Sequence, residues 1–163
     1  MNFKSLGNIL DLGIGILFLG FSLFLTVKIV QITSGKLTLA YISLIIFYWL
    51  SYLFLSTALI RIQYRNSEKG IDILIDDVEK NLTLKNSKNG KTDIINNGLI
   101  KTVELYYSWN TNPFSSDLGY SKITLKNNSN IFITQNKVNQ SEIKSLFRKK
   151  VTKEKSRFMN RMK

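Results

Sequence analysis

Two long stretches without a charged residue constrain this chain more than any other feature. The first runs from Leu12 to Val27 and the second from Leu39 to Ile60. The second has 22 residues, which as an α-helix rise ~33 Å and match a hydrocarbon core of ~30 Å. Both stretches are apolar on every face, which is not typical of a helix that packs one side on a soluble core. They predict two transmembrane helices, at about residues 9–32 and 38–62.

A cleaved signal peptide is the alternative interpretation of the first stretch. Its length is at the upper end of that class, but no small-x-small cleavage site follows, since the next residues are KIVQITSGK. An uncleaved anchor is therefore favoured. The short link Thr33–Lys36 makes the two helices an antiparallel hairpin, and glycines at three positions can allow the helices to approach closely: Gly13, Gly15 and Gly20.

The distribution of basic residues predicts an orientation in the membrane. Arg61, Arg65 and Lys69 directly follow the second helix, whereas Lys28 and Lys36 flank the hairpin link. Cytoplasmic flanks carry the excess of Lys and Arg. We therefore expect a multi-pass protein of a bacterial inner (plasma) membrane with both termini in the cytoplasm.

Beyond residue 66 the composition changes to short β-type runs. Six such runs lie between residues 71 and 134, separated by turn signals such as Asn89-Gly90 and Asn97-Gly98. A helical spacing of apolar residues then predicts a helix over 141–163, with Ser141 as its cap. The longest run alternates strictly, with two opposite faces: Val103, Leu105, Tyr107 and Trp109 against Thr102, Glu104, Tyr106 and Ser108.

The predicted fold class is an α+β membrane protein in three parts. Residues 1–66 form the transmembrane hairpin, 67–150 form a small antiparallel β meander closed by a C-terminal helix, and 151–163 form a basic tail. The stretch YYSWNTNPF…GYSKITLKNNSNIFIT resembles the middle and late strands of bacterial PH-like domains carried by small membrane proteins. The resemblance covers about residues 68 to 150. It implies a PH-like barrel with a role in binding or assembly and with no catalytic residues.

The absence of two residue types limits the chemistry. The chain has no Cys and no His, which excludes thiolate zinc sites, Cys nucleophiles, Ser-His-Asp triads and imidazole relays. We expect no enzyme, no cofactor and no metal. One acidic cluster can bind a divalent cation through oxygen ligands, but its spacing does not match an EF-hand loop and a solvated strand edge and turn is favoured: Asp72, Asp76, Asp77 and Glu79.

Two loops are candidate contacts with lipid or a partner. Lys85, Lys88 and Lys91 surround the Asn89-Gly90 turn, and the PH-like resemblance makes this loop a candidate for phosphorylated headgroups. A solvated, lysine-rich hairpin is the favoured alternative. The loop from Ser108 to Gly119 is long for a hairpin and carries Trp109 and Phe114, which we expect either to touch the membrane or a partner, or to pack on the end of the sheet.

The last 16 residues carry 8 basic and 1 acidic side chains, a net +7 of the total +12. With apolar residues alongside, they predict a basic amphipathic helix lying on the anionic inner leaflet. A solvated flexible tail is the alternative, and no nucleic acid partner is expected because the tail is anchored and lacks a DNA-reading motif. The candidate contacts in this segment are Arg148, Lys149, Lys150, Arg157 and Arg161.

The leading functional hypothesis is a non-enzymatic, membrane-anchored binding or scaffolding protein. Its expected partners are the lipid bilayer and a membrane or cytoplasmic protein. The alternative is an oligomeric membrane effector or pore subunit, a homo-oligomer with a soluble sensor domain. An enzyme would need a carboxylate, Lys or Tyr site in a cleft, and no spacing in the sequence indicates one.

Overall fold

The computed structural model of the chain describes residues 3–31, 37–87, 89–108, 117–157 and 160–162. The chain divides into two compact units, Met1–Ile62 and Gln63–Lys163. The first unit is helical. The second, the β unit, contains two sheets and a short helix.

The first unit contains two long helices, α1 (Phe3–Gln31) and most of α2 (Leu37–Glu68), of which residues 63–68 belong to the β unit. The hydroxyl of Ser51 donates to the carbonyl of Gly15 over 3.0 Å, and Thr26 Oγ1 lies 3.3 Å from Tyr48 Oη. Early residues of α1 thus meet late residues of α2, so the helices run antiparallel, as the short link predicts. The link itself lies outside the described residues.

Of the three helix glycines, Gly15 marks the close approach. A Cβ placed on Gly15 would lie 2.9 Å from Leu55 Cγ and 3.1 Å from the backbone N of Leu55. Gly13 and Gly20 meet no described atom within 4 Å at the same position. Only a residue without a side chain lets the two backbones approach at Gly15.

Both helices have the length and composition of membrane spans. Gly7–Gln31 and Thr38–Glu68 are long and apolar enough to cross a bilayer. Of the most apolar 18 residues of each helix, only 17% are buried inside the molecule, so most of these apolar side chains face outward. Helix α2 runs six residues past the predicted end at 62. It stops before Gly70, whose φ of 78° is a left-handed conformation that favours glycine.

The β unit contains the six predicted strands and a seventh. β1 (Ile71–Asp76), β2 (Asn81–Asn86) and β3 (Thr92–Ile95) form an antiparallel sheet. The second sheet has the order β6-β5-β4-β7, and its members are β4 (Ile100–Ser108), β5 (Tyr120–Leu125), β6 (Asn130–Thr134) and β7 (Val151–Arg157). The prediction of one meander closed into a barrel is thus corrected to two sheets. Barrel closure is not found among the described residues.

Apolar side chains from both sheets and from α3 (Gln140–Leu146) form one core. Leu82 of β2, Leu105 of β4 and Ile123 of β5 are fully buried there, with Ile143 of α3 and Phe147 just after it. The alternation in each strand directs every second residue into this core. The face of β4 predicted to be buried is buried over its described residues, Val103, Leu105 and Tyr107 packing against the core.

The prediction of a C-terminal helix over 141–163 is wrong beyond the first turns of that helix. Helix α3 ends at Leu146, a short 3₁₀ helix follows at Arg148–Lys150, and β7 then pairs in parallel with β4. The predicted cap is also corrected, because Asn139 rather than Ser141 caps α3, accepting from the Ser141 amide over 3.1 Å. The open edge of the long strand β4 offers backbone partners that an isolated basic helix lacks.

Candidate binding face on the four-stranded sheet

The outer side of the four-stranded sheet carries a set of rings and charges that we call the aromatic–basic face. Strand alternation turns these side chains away from the core. The register places Glu104 opposite both Lys122 and Lys153, and Tyr106 opposite both Tyr120 and Lys155. The members of the face are Glu104, Tyr106, Tyr120, Lys122, Phe132, Lys153, Lys155 and Arg157.

A stack of rings forms the floor of this face. Tyr106 and Tyr120 stack with centroids 4.6 Å apart and planes 16° from parallel, and Phe132 lies 6.0 Å from Tyr120. Tyr106 is 8% exposed and Tyr120 is 3% exposed. Burial raises the pKa of Tyr120 to about 12. The Tyr120 phenol is therefore neutral at physiological pH.

One carboxylate is locked into the face. The Tyr106 hydroxyl donates to the Glu104 carboxylate, and Lys153 Nζ lies 3.4 Å from Glu104 Oε2. The hydrogen bond from Tyr106, followed by the charge of Lys153, holds the pKa of Glu104 below its usual range. Glu104 is thus ionised at neutral pH and positions both neighbours.

The cations lie over the rings and still reach solvent. Lys153 Nζ is 5.4 Å and Arg157 Cζ is 5.9 Å from the centroid of Tyr106, and Lys122 Nζ is 6.0 Å from that of Phe132. Such contacts contribute ~0.5–1 kcal/mol each at exposed sites. The Tyr106 hydroxyl, as a hydrogen-bond acceptor, raises the pKa of Lys153. The face therefore presents four cations against one carboxylate, a local charge of 4 − 1 = +3.

A polar cluster fixes the chain beyond β7 beside this sheet. The Tyr64 hydroxyl donates to the carbonyl of Asn160 over 2.6 Å. The Asn160 amide donates in turn to the carbonyls of Tyr107 and Leu118, at 2.8 and 2.9 Å. Tyr64 also lies edge-on to Tyr120, with centroids 6.0 Å apart. Asn160 is thus tied to Tyr64, Tyr107 and Leu118.

The chain matches no family model, no curated protein and no solved structure. Chemically, the face can bind an anion through several positioned cations. No group of three or more His, Cys, Asp or Glu side chains able to hold a metal occurs among the described residues.

The structure places the predicted lysine loop away from this face. Lys85 lies on β2 and Lys91 just before β3, both exposed, while Lys88 is outside the described residues. Lys91 pairs with Asp93 at 3.3 Å. Lys85 stands opposite Asp72 in the register, and Asp72 itself lies 3.8 Å from Lys137 Nζ.

The acidic cluster serves the turn between β1 and β2. Asp76 Oδ1 accepts from the backbone amides of Val78 and Glu79, at 2.9 and 3.0 Å. This is an Asx-type turn, in line with the favoured interpretation of a strand edge and turn. Trp109 and Phe114 lie outside the described residues, so their predicted contact stays a prediction.

The basic tail residues separate into two groups. Arg148, Lys149 and Lys150 occupy the 3₁₀ helix, away from the face. Arg157 joins the face, and the backbone carbonyl of Arg161 accepts from the Tyr120 hydroxyl over 3.2 Å. The segment VTKEKSR contains one apolar residue, so it carries no apolar alternation that would have predicted β7. The positions of Tyr120 and Phe132 on the face could not be predicted either, since the register of β5 and β6 with β4 is a long-range property.

Proposed function

We propose that this protein is a non-enzymatic, membrane-anchored binding protein whose aromatic–basic face binds an acidic segment of a protein partner. One observation carries the proposal. The outward residues of β7 are all cations, Lys153, Lys155 and Arg157, and two of them lie over the ring of Tyr106. Positioned cations lose less side-chain freedom on binding than mobile ones.

The geometry of β7 favours an extended acidic segment as the ligand. Alternate residues of a strand are ~6.6 Å apart on one face, and an extended peptide repeats its own side chains at that spacing. The strand order places β7 at an edge of its sheet. An added strand with Asp or Glu at alternate positions would pair with this edge and face Lys153, Lys155 and Arg157.

The membrane anchor is the second part of the proposal. The outward residues of the helices are large and apolar, with Val30 81% and Leu39 78% exposed. A soluble protein rarely exposes so continuous an apolar surface. We propose insertion in a bacterial inner membrane with both termini cytoplasmic, supported by Arg61 and Arg65 near the end of α2 and by Lys69 just after it. A Gly35→Cys variant then labels from outside intact cells; labelling only after lysis would reverse the orientation.

Attachment of the β unit to the membrane would bring the binding face close to other membrane proteins. A module held at the bilayer meets other membrane components at a raised effective concentration, so moderate affinity suffices. We also retain the PH-like resemblance for residues 68–150 as part of this proposal. Its support is the order of β4, the β5–β6 hairpin and then α3.

A charge-reversal pair tests the binding face in the full chain, held in nanodiscs of neutral lipid. The first variant is Lys153→Glu, Lys155→Glu and Arg157→Glu; the matched control is Arg148→Glu, Lys149→Glu and Lys150→Glu. Both change the net charge by the same amount. The probe is a labelled peptide of alternating Glu and Thr. We expect the first variant to lose binding and the control to retain it.

The same preparation separates the peptide from a lipid ligand. If the full chain in neutral nanodiscs binds vesicles rich in phosphatidylserine and ignores the peptide, the ligand is an anionic lipid surface and the protein-partner proposal is wrong. Equal loss in both triple variants would show that net charge rather than the face governs binding.

A further inference from the structure

Helix α2 presents a row of tyrosines on its outer side. Tyr41, Tyr48 and Tyr52 recur at intervals of seven and four residues and therefore share one side of the helix. Ile45 and Leu59 lie on the same side. All five are exposed, which leaves the row uncovered by the hairpin itself: 49% for Tyr41, 68% for Ile45, 38% for Tyr48, 59% for Tyr52 and 58% for Leu59.

The three hydroxyls differ in depth and in partners. Tyr41 is near one end of the uncharged stretch Leu39–Ile60, where tyrosine suits the membrane interface. Tyr48 and Tyr52 lie within ~5 Å of the middle of that stretch along the helix axis. The Tyr48 hydroxyl has Thr26 Oγ1 at 3.3 Å. The Tyr52 hydroxyl makes no hydrogen bond with any residue that the structure describes.

A hydroxyl at this depth requires a partner. The hydrocarbon core offers no water and lipid tails cannot accept a hydrogen bond, so an unpaired polar group there is costly. The ends of the helices are too far away for Tyr52 to reach an interface by bending its short side chain. The anchored hairpin of the proposed function, on which this step rests, is therefore incomplete at Tyr52.

We propose that the tyrosine row is a two-fold interface with a second copy of this chain in the membrane. A phenol both donates and accepts, so Tyr52 can pair with Tyr52 or Tyr48 of a second copy about a two-fold axis. The row carries no charge, and its approach to itself brings no like charges together. A self-complementary patch of this kind is what a two-fold homodimer requires.

The absence of cysteine from the chain allows a clean cross-linking test. Tyr52→Cys in native membranes under mild oxidation is expected to give a covalent dimer of twice the chain mass. The matched control is Ile16→Cys. Ile16 is 56% exposed and lies at the same depth, since its neighbour Gly15 accepts the hydrogen bond from Ser51. Ile16→Cys is expected to remain monomeric.

A second variant measures the hydroxyl alone. Tyr52→Phe keeps the ring, and we expect self-association of the full chain in lipid vesicles, followed by energy transfer, to weaken about three- to tenfold. Ile16→Val, on the outward side of α1, is expected to leave it unchanged. Equal effects of the two substitutions, or none at Tyr52, would overturn the proposal.

Alkaline extraction separates failure of this inference from failure of the anchor. A chain released from membranes by alkaline carbonate refutes the membrane-anchored function. A chain that is retained but gives no Tyr52→Cys dimer refutes the two-fold interface alone. A cross-linked product of some other mass would make a different membrane protein the occupant and would also overturn the second copy.

Discussion

The hairpin and the β unit bury opposite kinds of side chain. In the hairpin Asp11, Ser22 and Ser51 are at least 92% buried, while Leu17 is 65% exposed. In the β unit Leu105 is fully buried and the lysines of β7 face solvent. The reversal follows from the proposed solvent of each region. In hydrocarbon, polar groups are more stable when they pair inside the protein, whereas in water burial of apolar area is favourable.

The ion pairs of the two regions differ in the same way, because one is buried and the other is exposed. Arg61 pairs with Asp11 inside the hairpin, each side chain 11% exposed, and also approaches the Gly7 carbonyl at 3.4 Å. On the three-stranded sheet Lys91 and Asp93 pair in the open, at 69% and 56% exposure. The buried pair has no water to replace a lost partner, but the exposed pair does.

The largest expected effect breaks the buried pair. Asp11→Ala leaves Arg61 without its carboxylate and should destabilise the hairpin by about 3–5 kcal/mol. Asp93→Ala on the sheet should cost less than about 1 kcal/mol. Thermal unfolding in micelles, followed by circular dichroism, measures both. The double variant Asp11→Leu with Arg61→Leu should recover most of the loss; a hairpin as weak as in the single variant would contradict this account.

A matched pair of leucines sharpens the contrast in apolar burial. Leu105→Ala empties a fully buried position of the β unit and should cost about 2–5 kcal/mol in denaturant unfolding. Leu17→Ala removes an outward side chain that, in the proposed anchor, meets lipid in either state, so we expect a loss below about 1 kcal/mol. Comparable losses at the two sites would place Leu17 in a protein interface rather than in lipid.

The glycines of α1 test the close packing of the hairpin. Gly15→Val would push its Cβ against Leu55 and should cost about 1–3 kcal/mol by overpacking. Gly13→Val, on the same helix, has open space at its Cβ position and should be neutral. Melting temperatures of the two variants in the same detergent decide it, and equal values would remove Gly15 from the helix contact.

The smallest expected effect concerns alkaline pH and the aromatic–basic face. The folded-state pKa of Tyr120, about 12, lies above the ~10 of an unfolded tyrosine. Its contribution to stability is therefore complete below about pH 10 and is lost as the pH rises toward 12. Phenolate absorbance of the folded chain should lose a step near pH 12 in Tyr120→Phe. A step that survives the substitution belongs to another tyrosine.

Local sequence patterns were enough to predict the two helices and strands β1 to β6. The length of each uncharged stretch predicts a helix long enough to span a membrane. The alternation of Val103, Leu105 and Tyr107 predicts a half-buried strand. The end of α2 was predicted six residues early because its last turns are polar. Polar turns give no hydropathy signal, and the helix stops only at Gly70.

The basic tail shows where local patterns fail. The spacing of Ile143, Phe147 and Val151 suits a helix, and β7 contains residues that favour helices. Its pairing with β4 outweighs that preference because the backbone of a nine-residue central strand offers a ladder of hydrogen bonds. The basic residues of β7, which were predicted to lie on a helix at the leaflet, therefore lie on a face of the sheet.

By itself the sequence determined the apolar spans, the sites of six strands, the residues facing the core along β4, and the concentration of charge at the C-terminus. Each is a property of neighbouring residues, set by period and solvent preference. Only the tertiary structure decided that the strands divide between two sheets, that the tail adds to β4, and that Lys153 and Arg157 lie over Tyr106. Those are contacts between residues some 50 positions apart, and their register depends on the whole folded chain.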